Sequence, residues 1–231
     1  MVVGASSDIG GAVAVALAGC GYAVTLWGRD RQRLDRAAVS CERFGPTVVD
    51  VVDVHDRRQM TRAVDALVRR KPLTAVVWAA GLFDWAPADR ADPARWDELL
   101  NVNLSSAAYL TRLVLPGLIS AAPSALVYVG SVAARQAFPN NAAYIASKHG
   151  LAGLAGGVFL DVRDRDVKVS LVSPGLVAAG AGLSSPAGQR QPGRLLQPAD
   201  IAAAVRFVVT FPGTGCPTEI TVQPQRTPPD S

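Results

Sequence analysis

The sequence predicts an α/β protein, a doubly wound parallel sheet of about seven strands with helices on both faces, in a single domain of residues 1–224. Three observations predict it. Short continuous apolar runs, such as residues 74–79 and 125–130, read as strands buried on both faces, which is how parallel strands look in sequence. Amphipathic helical segments alternate with these runs, so successive strands are joined by helical crossovers. Finally, 231 residues at 49% hydrophobic content suffice to bury one large sheet between two helix layers.

Val2 and Val3 lead into Gly4-Ala5-Ser6-Ser7-Asp8-Ile9-Gly10 and then the apolar residues 12–18, which reads as strand, glycine turn and helix. A helix start offers free backbone N–H groups and a positive dipole end, and glycine lets the backbone approach a ligand closely; this is the place for a pyrophosphate. Only Met1 to Val3 precede the turn, so either the first strand is short or the natural start lies upstream. Residues 22–27 make the second strand. Arg29 and Asp30 follow it, near the offset at which a ribose 2′ position is read. Asp30 is placed to cap the helix of residues 31–43, which leaves Arg29, with Arg33 one turn on, to face a 2′-phosphate. NADP(H) is therefore expected over NAD(H).

Residues 47–52 form the third strand and end in Asp53-Val54, before an amphipathic helix over 56–70 that buries Met60, Val64, Leu67 and Val68. The fourth strand, 74–79, runs into Ala80 and Gly81. Asp92 and Pro93 supply an N-cap and a first-turn proline for one long helix reaching to about residue 120. The fifth strand, 125–130, delivers Ser131 to the sheet edge. The helix of residues 142–161 carries Gly150, Gly153, Gly156 and Gly157, and each interior glycine costs up to ~1 kcal/mol against alanine, so close packing is expected along it. A sixth strand over 167–172 leads to Ser173-Pro174-Gly175-Leu176-Val177. Residues 178–197 have the small, Gly/Pro/Ser-rich composition of a mobile loop and are read as a substrate lid. A last helix over 198–211, an edge strand over 219–224 and a disordered tail over 225–231 complete the chain.

Tyr144 and Lys148, four residues apart, share one face of the helix, so phenol and ammonium can converge. A lysine charge beside a tyrosine favours the phenolate and lowers a pKa otherwise near ~10, toward general acid/base work. Such a pair alone is common on exposed helix faces. Here Ser131 stands thirteen residues before Tyr144, and three polar groups can meet at one carbonyl.

With the Ser131/Tyr144/Lys148 spacing, the glycine turn and Asn103 in Asn101-Val102-Asn103-Leu104, residues 2–223 resemble the short-chain dehydrogenase/reductase family. The resemblance implies a Rossmann fold and an NADP(H)-dependent ketoreductase-like enzyme interconverting a ketone or aldehyde and an alcohol. Ser131, Tyr144, Lys148 and Asn103 would be its catalytic residues, Asn103 distorting its helix and completing a proton relay. Gly4, Ser6, Ser7, Ile9, Gly10, Arg29, Asp53, Val54, Ala80, Gly81, Tyr144, Lys148, Pro174, Gly175 and Val177 would hold the cofactor. Trp85, Ser131, Phe138 and Leu183, with Phe83, would line an apolar substrate pocket, and the glycine-rich helix would lie in the interface of a homodimer or homotetramer. The chain departs from the family pattern at Val3 for Thr, at Asp8 for the middle Gly, at Trp78 and Ala79 for two Asn, and at Ala179 for Thr. Those departures suit a non-catalytic, cofactor-binding regulator of the same fold; an enzyme acting on an imine, or as dehydratase or epimerase, is the other alternative.

Other classes are disfavoured. Net charge is +4, but basic residues are spread and mixed with acids, as in residues 29–36, which speaks against nucleic acid. No run of apolar residues approaches the ~20 needed to span a bilayer and no signal pattern opens the chain, so a cytoplasmic protein is expected. Cys20, Cys41 and Cys216 are odd in number and scattered, and His55 and His149 share no ligand spacing, so neither disulfides nor a metal site are expected.

Overall fold

The computed structural model describes residues 1–226. Seven parallel strands form one sheet: β1 (Val2–Val3), β2 (Val24–Gly28), β3 (Thr47–Val51), β4 (Ala75–Trp78), β5 (Ser124–Val129), β6 (Val167–Pro174) and β7 (Glu219–Val222), in the order β3-β2-β1-β4-β5-β6-β7. The chain builds outward from β1 through β2 to β3, then returns to β1's other side for β4. That reversal opens a crevice beyond the carboxyl ends of β1 and β4, where ligands of such sheets bind.

Side-chain alternation divides the core into two layers. Val2, Val77 and Val127 face α1 (Asp8–Ala18), α2 (Arg31–Glu42) and α9 (Pro198–Thr210), through Val13, Leu17, Leu34 and Val205. Val3, Trp78 and Tyr128 face α3 (Arg57–Arg70), α5 (Ser106–Ser120) and α6 (Ala142–Val162), through Met60, Leu110, Val114 and Leu151. β1 has two residues yet sits at the sheet's centre, both of them fully buried. Asp30, Asp56 and Asp92 cap their helices, accepting from the backbone N–H of Arg33, Gln59 and Ala94. Val68, expected on the buried side of α3, is 39% exposed.

The long helix expected from Pro93 is interrupted. α4 (Pro93–Leu100) passes through a π-helical turn, Asn101–Ser105, into α5. Contrary to the expectation from apolar runs, Pro93–Ser120 is long and apolar enough to cross a membrane by length and composition; here its Val102, Leu110, Val114 and Leu118 are buried in the core. Residues 178–197 are not a bare loop. They hold α7 (Ala181–Ser184), α8 (Pro186–Arg190) and a 3-10 turn, Pro192–Arg194. Ser185 explains α8, since its hydroxyl accepts from Gly188 N–H and donates to Gly182 O, and Pro186 pre-sets the first turn. Both ends of this excursion are tied by a parallel bridge between Val177 and Leu196. Of the tail expected at 225–231, residues 227–231 lie outside the described residues.

Candidate active site

β5 is buried along its whole length and ends at Gly130, where a Cβ would stand 2.8 Å from Leu171 Cδ1. Ser131 follows in an extended conformation, its hydroxyl accepting from Ala133 N–H at 3.1 Å and close enough to the Tyr144 phenol to act on its acidity. α6 begins at Ala142, so Tyr144 is in its first turn and Lys148 one turn further, both on the inner face. Lys148 is 5% exposed; its ammonium donates to Val129 O at 3.3 Å and lies 5.6 Å from the centre of the Tyr144 ring. Phe83 packs edge-on against that ring at 5.0 Å, and Trp85 lies 6.2 Å from Phe83.

Burial governs the protonation states here. It lowers the Lys148 pKa to about 8, since a buried ammonium with one carbonyl partner has lost most of its hydration. It raises the Tyr144 pKa, and the Ser131 hydroxyl works the other way. The expectation that Lys148 pulls the phenol down is therefore not met in this geometry, because desolvation wins. At neutral pH the arrangement is a protonated phenol beside a cation that gives up its proton readily.

Asn103 is fully buried in the π turn. Its Oδ1 accepts from Leu82 N–H at 2.7 Å, and its Nδ2 donates to Leu82 O and to Ser147 Oγ, both at 3.0 Å. Ser147 in turn donates to the Tyr144 carbonyl at 2.7 Å. One amide thus braces the segment after β4 against the turn of α6 that carries Tyr144, a connection through Leu82 and Ser147 that no spacing in the sequence reveals. A Cβ on Gly81 would begin 3.4 Å from Asn103 Oδ1 and 3.7 Å from Lys148 Nζ, so the lysine and the amide converge on this glycine.

The other end of the crevice is built from backbone. Gly4 has φ +84°, and a Cβ there would lie 2.6 Å from Ala80 N; one on Gly10 would overlap the Gly4 carbonyl and come 3.0 Å from Ala5 Cα. The turn is thereby pressed against Ala79 and Ala80, which brings Ala80 and Gly81 beside it. Ser7 caps α1, accepting from Gly10 N–H and donating to Gly4 O. Ser6 lies against Gly28, where a Cβ would come 2.6 Å from its Oγ, and Ile9 is half-buried. Asp8 does not cap the helix but stands exposed in its first turn, paired with Arg33 at 3.2 Å. A cleft of about 730 Å³ runs from Ser6 and Ser7 along α1 and α2 past Arg33, Arg36 and Ser40.

Arg29 is exposed after β2. Burial pushes the Asp53 carboxyl up, but hydrogen bonds from the His55 backbone and ring and the charge of Arg29 outweigh it and hold it below its ordinary value. An Asp-x-His spacing was the only signal of that contact. Val54 is buried, its carbonyl accepting from Ser106. Pro174 ends β6; Gly175 N–H donates to Val222 O, and Val177 is buried at the bridge to Leu196. Of the residues expected at the substrate, Trp85 reaches Tyr144 through Phe83 while remaining 60% exposed. Phe138 instead lines a cleft of about 470 Å³ with Asn141, Ile145 and His149, beside the α6 face next to the one carrying Tyr144. Leu183 is exposed on α7.

A helix start at the crevice, a turn built on Gly4 and Gly10 and arginines on its flank fit a polyanionic dinucleotide, with the Asp8 carboxylate the one group in that turn of the wrong charge. Among the described residues no cluster suited to a metal ion exists.

The family model for short chain dehydrogenase matches residues 1–189. The chain is similar to an uncharacterized oxidoreductase of Staphylococcus saprophyticus, 28% identical over 97% of this chain and 96% of that protein. It is likewise similar to sulfoacetaldehyde reductase 2 of Chromohalobacter salexigens, 28% identical over 98% and 94% of the two chains. Among solved structures, a metagenomic short-chain oxidoreductase in complex with NADP superposes with a TM-score of 0.85 at 28% identity, covering 97% of this chain and 96% of the other. Fold, matched length and the meeting of the serine, tyrosine and lysine agree: the chain belongs to the short-chain dehydrogenase/reductase family.

Proposed function

We propose that this oxidoreductase interconverts a ketone or aldehyde and an alcohol with NADP(H), Tyr144 acting as the general acid and base. The observation that carries the reading is the placing of half-buried Ser131 and Tyr144 beside buried Lys148, whose ammonium lies 5.6 Å from the centre of the Tyr144 ring. When bound, the nicotinamide supplies or accepts the hydride at the carbonyl carbon. The protein's own part is the proton. Burial keeps the phenol protonated at neutral pH, so Tyr144 can give its proton to the carbonyl oxygen as negative charge develops there. Ser131 orients that oxygen and stabilises the phenolate left behind, and Lys148, charged below about pH 8, offsets its charge. Asn103, through Leu82 and Ser147, holds these groups in register and would complete the relay to Lys148.

Gly4, Ser6, Ser7, Ile9 and Gly10 would hold the pyrophosphate, Arg29 the 2′-phosphate, Asp53 and Val54 the adenine, and Ala80, Gly81, Pro174, Gly175 and Val177 the remainder of the cofactor. The NADP-bound relative supports this choice. Carbonyl reduction as a class is supported by similarity to a sulfoacetaldehyde reductase. The rings of Phe83 and Trp85 beside Tyr144 favour a largely apolar substrate over that anionic one. Residues 178–197 would close over it. Three unpaired cysteines are in keeping with a cytoplasmic site of action.

Tyr144→Phe removes one oxygen and little else. NADPH binding, followed by fluorescence, should survive while ketone reduction falls by ~10²-fold or more. Near-parental turnover would refute the mechanism. A cofactor-binding regulator, the reading that Asp8 and Ala179 favour, would show no turnover in the parent across a ketone, aldehyde and alcohol panel.

A homodimer or homotetramer is proposed from α6. Close packing within the chain explains only Gly150, whose Cβ would come 2.6 Å from Leu104; Gly153, Gly156 and Gly157 face open space, and Leu160 beside them is 66% exposed. A second copy would cover that face. Gly153→Leu has room in the single chain, so it should leave Tm nearly unchanged and lower the mass seen by light scattering; a monomeric parent would overturn the assignment.

A further inference from the structure

Of the two arginines expected to face a 2′-phosphate, Arg33 is already ion-paired with an acid. The Arg29 charge acts on Asp53, and Arg33 Nη2 donates to Asp8 Oδ1 at 3.2 Å across 25 residues of sequence. The second pair spans the cleft between α1 and α2, joining the first turn of one helix to that of the other. Asp8 stands where the family pattern has glycine, so this chain has placed a carboxylate where a cofactor phosphate would approach. The position suits an anion, because the helix dipole and Arg33 both favour it. Its side chain is 52% exposed and that of Arg33 45%, so their mutual attraction is worth no more than about five-fold in an equilibrium.

We propose that Asp8 is a specificity-determining residue, an internal counter-anion that occupies Arg33 in the free protein and competes with the cofactor's 2′-phosphate for it. Binding at Arg33 is then an exchange of one anion for another rather than the addition of a new ion pair. The consequence is a blunted preference for NADP(H) over NAD(H), with Arg29 carrying most of what discrimination there is. This rests on the reading of the crevice as an NADP(H) site.

The test is a double-mutant cycle read by calorimetry with two small probes, adenosine 2′,5′-bisphosphate and adenosine 5′-monophosphate, on the parent, Asp8→Asn, Arg33→Ala and the double variant. All the changes are at exposed positions, and circular dichroism checks that each protein is folded. Asp8→Asn should tighten the bisphosphate about five-fold and move the monophosphate less than about two-fold. Arg33→Ala should change bisphosphate binding little in the parent background and weaken it about five-fold in the Asp8→Asn background. Equal tightening of both probes would overturn the proposal, since Asp8 would then be a general repulsive charge. Weaker bisphosphate binding by Asp8→Asn would overturn it too, showing that Asp8 aims Arg33 at the phosphate. A parent that prefers the bisphosphate, with an additive cycle, sinks the inference alone. Equal affinity for both probes in all four proteins sinks the NADP(H) reading and the inference with it.

Discussion

The two ends of the crevice are made rigid by different means. Around Tyr144 the fixing groups are buried side chains: Asn103 spends its amide on Leu82 and Ser147, and Lys148 is held in a dry site with one carbonyl partner. Around Gly4 to Gly10 the fixing contacts are backbone on backbone, and the charges nearby stand in water. Low dielectric makes each polar atom at the first end expensive to misplace, whereas screening makes each charge at the second end worth little. Substitutions should therefore be costly at the first end, whereas charges at the second can change by small steps.

Three substitutions sharpen or break that contrast. The largest effect should come from Lys148→Met. The folded-state pKa of Lys148, about 8, lies below its ordinary 10.5, so the unfolded chain binds more protons between those values and the native state gains stability as pH rises through that window. Below pH 8 the parent bears the whole desolvation cost, of order 3 kcal/mol, which methionine does not incur. Lys148→Met should thus be more stable than the parent in urea at pH 7, with the gap closing above pH 10.5, while losing turnover and NADPH affinity. A less stable variant at pH 7 would show that the ammonium is better solvated than the geometry implies. Gly10→Ala comes next. Its methyl meets the Gly4 carbonyl, an overpacking worth about 2 kcal/mol, and cofactor binding should fall together with Tm. Smallest in stability is Arg29→Asp, expected within about 0.5 kcal/mol of the parent by chemical denaturation. It should nevertheless reverse or abolish the preference for NADPH over NADH, and unchanged cofactor ratios would remove Arg29 from the site.

What could be read in sequence follows the same divide between local and distant. Ala75–Trp78 and residues 125–129 were legible because strands covered on both faces are apolar along their length. Tyr144 and Lys148 were legible because helical spacing alone puts them on one face. The π turn at Asn101–Ser105 was legible only through the family resemblance, which implied that Asn103 distorts its helix; the sequence by itself suits an ordinary helix, and Leu82, which Asn103 holds, lies 21 residues away. The direction of the Tyr144 pKa differs from the sequence expectation for a related reason: a neighbour's charge shows in sequence, whereas depth of burial does not. The Asp8 to Arg33 contact joins two helices whose relative placement only the sheet decides.

The bridge between Val177 and Leu196 has an engineering consequence. Because the chain leaves and re-enters the body at adjacent positions, the segment between them behaves as a plug-in cassette whose ends are already closed. Doubling the length of such a closed segment adds only about 0.6 kcal/mol of closure entropy. Grafts from relatives, cut at these two residues, should therefore be accommodated without retuning the sheet beneath.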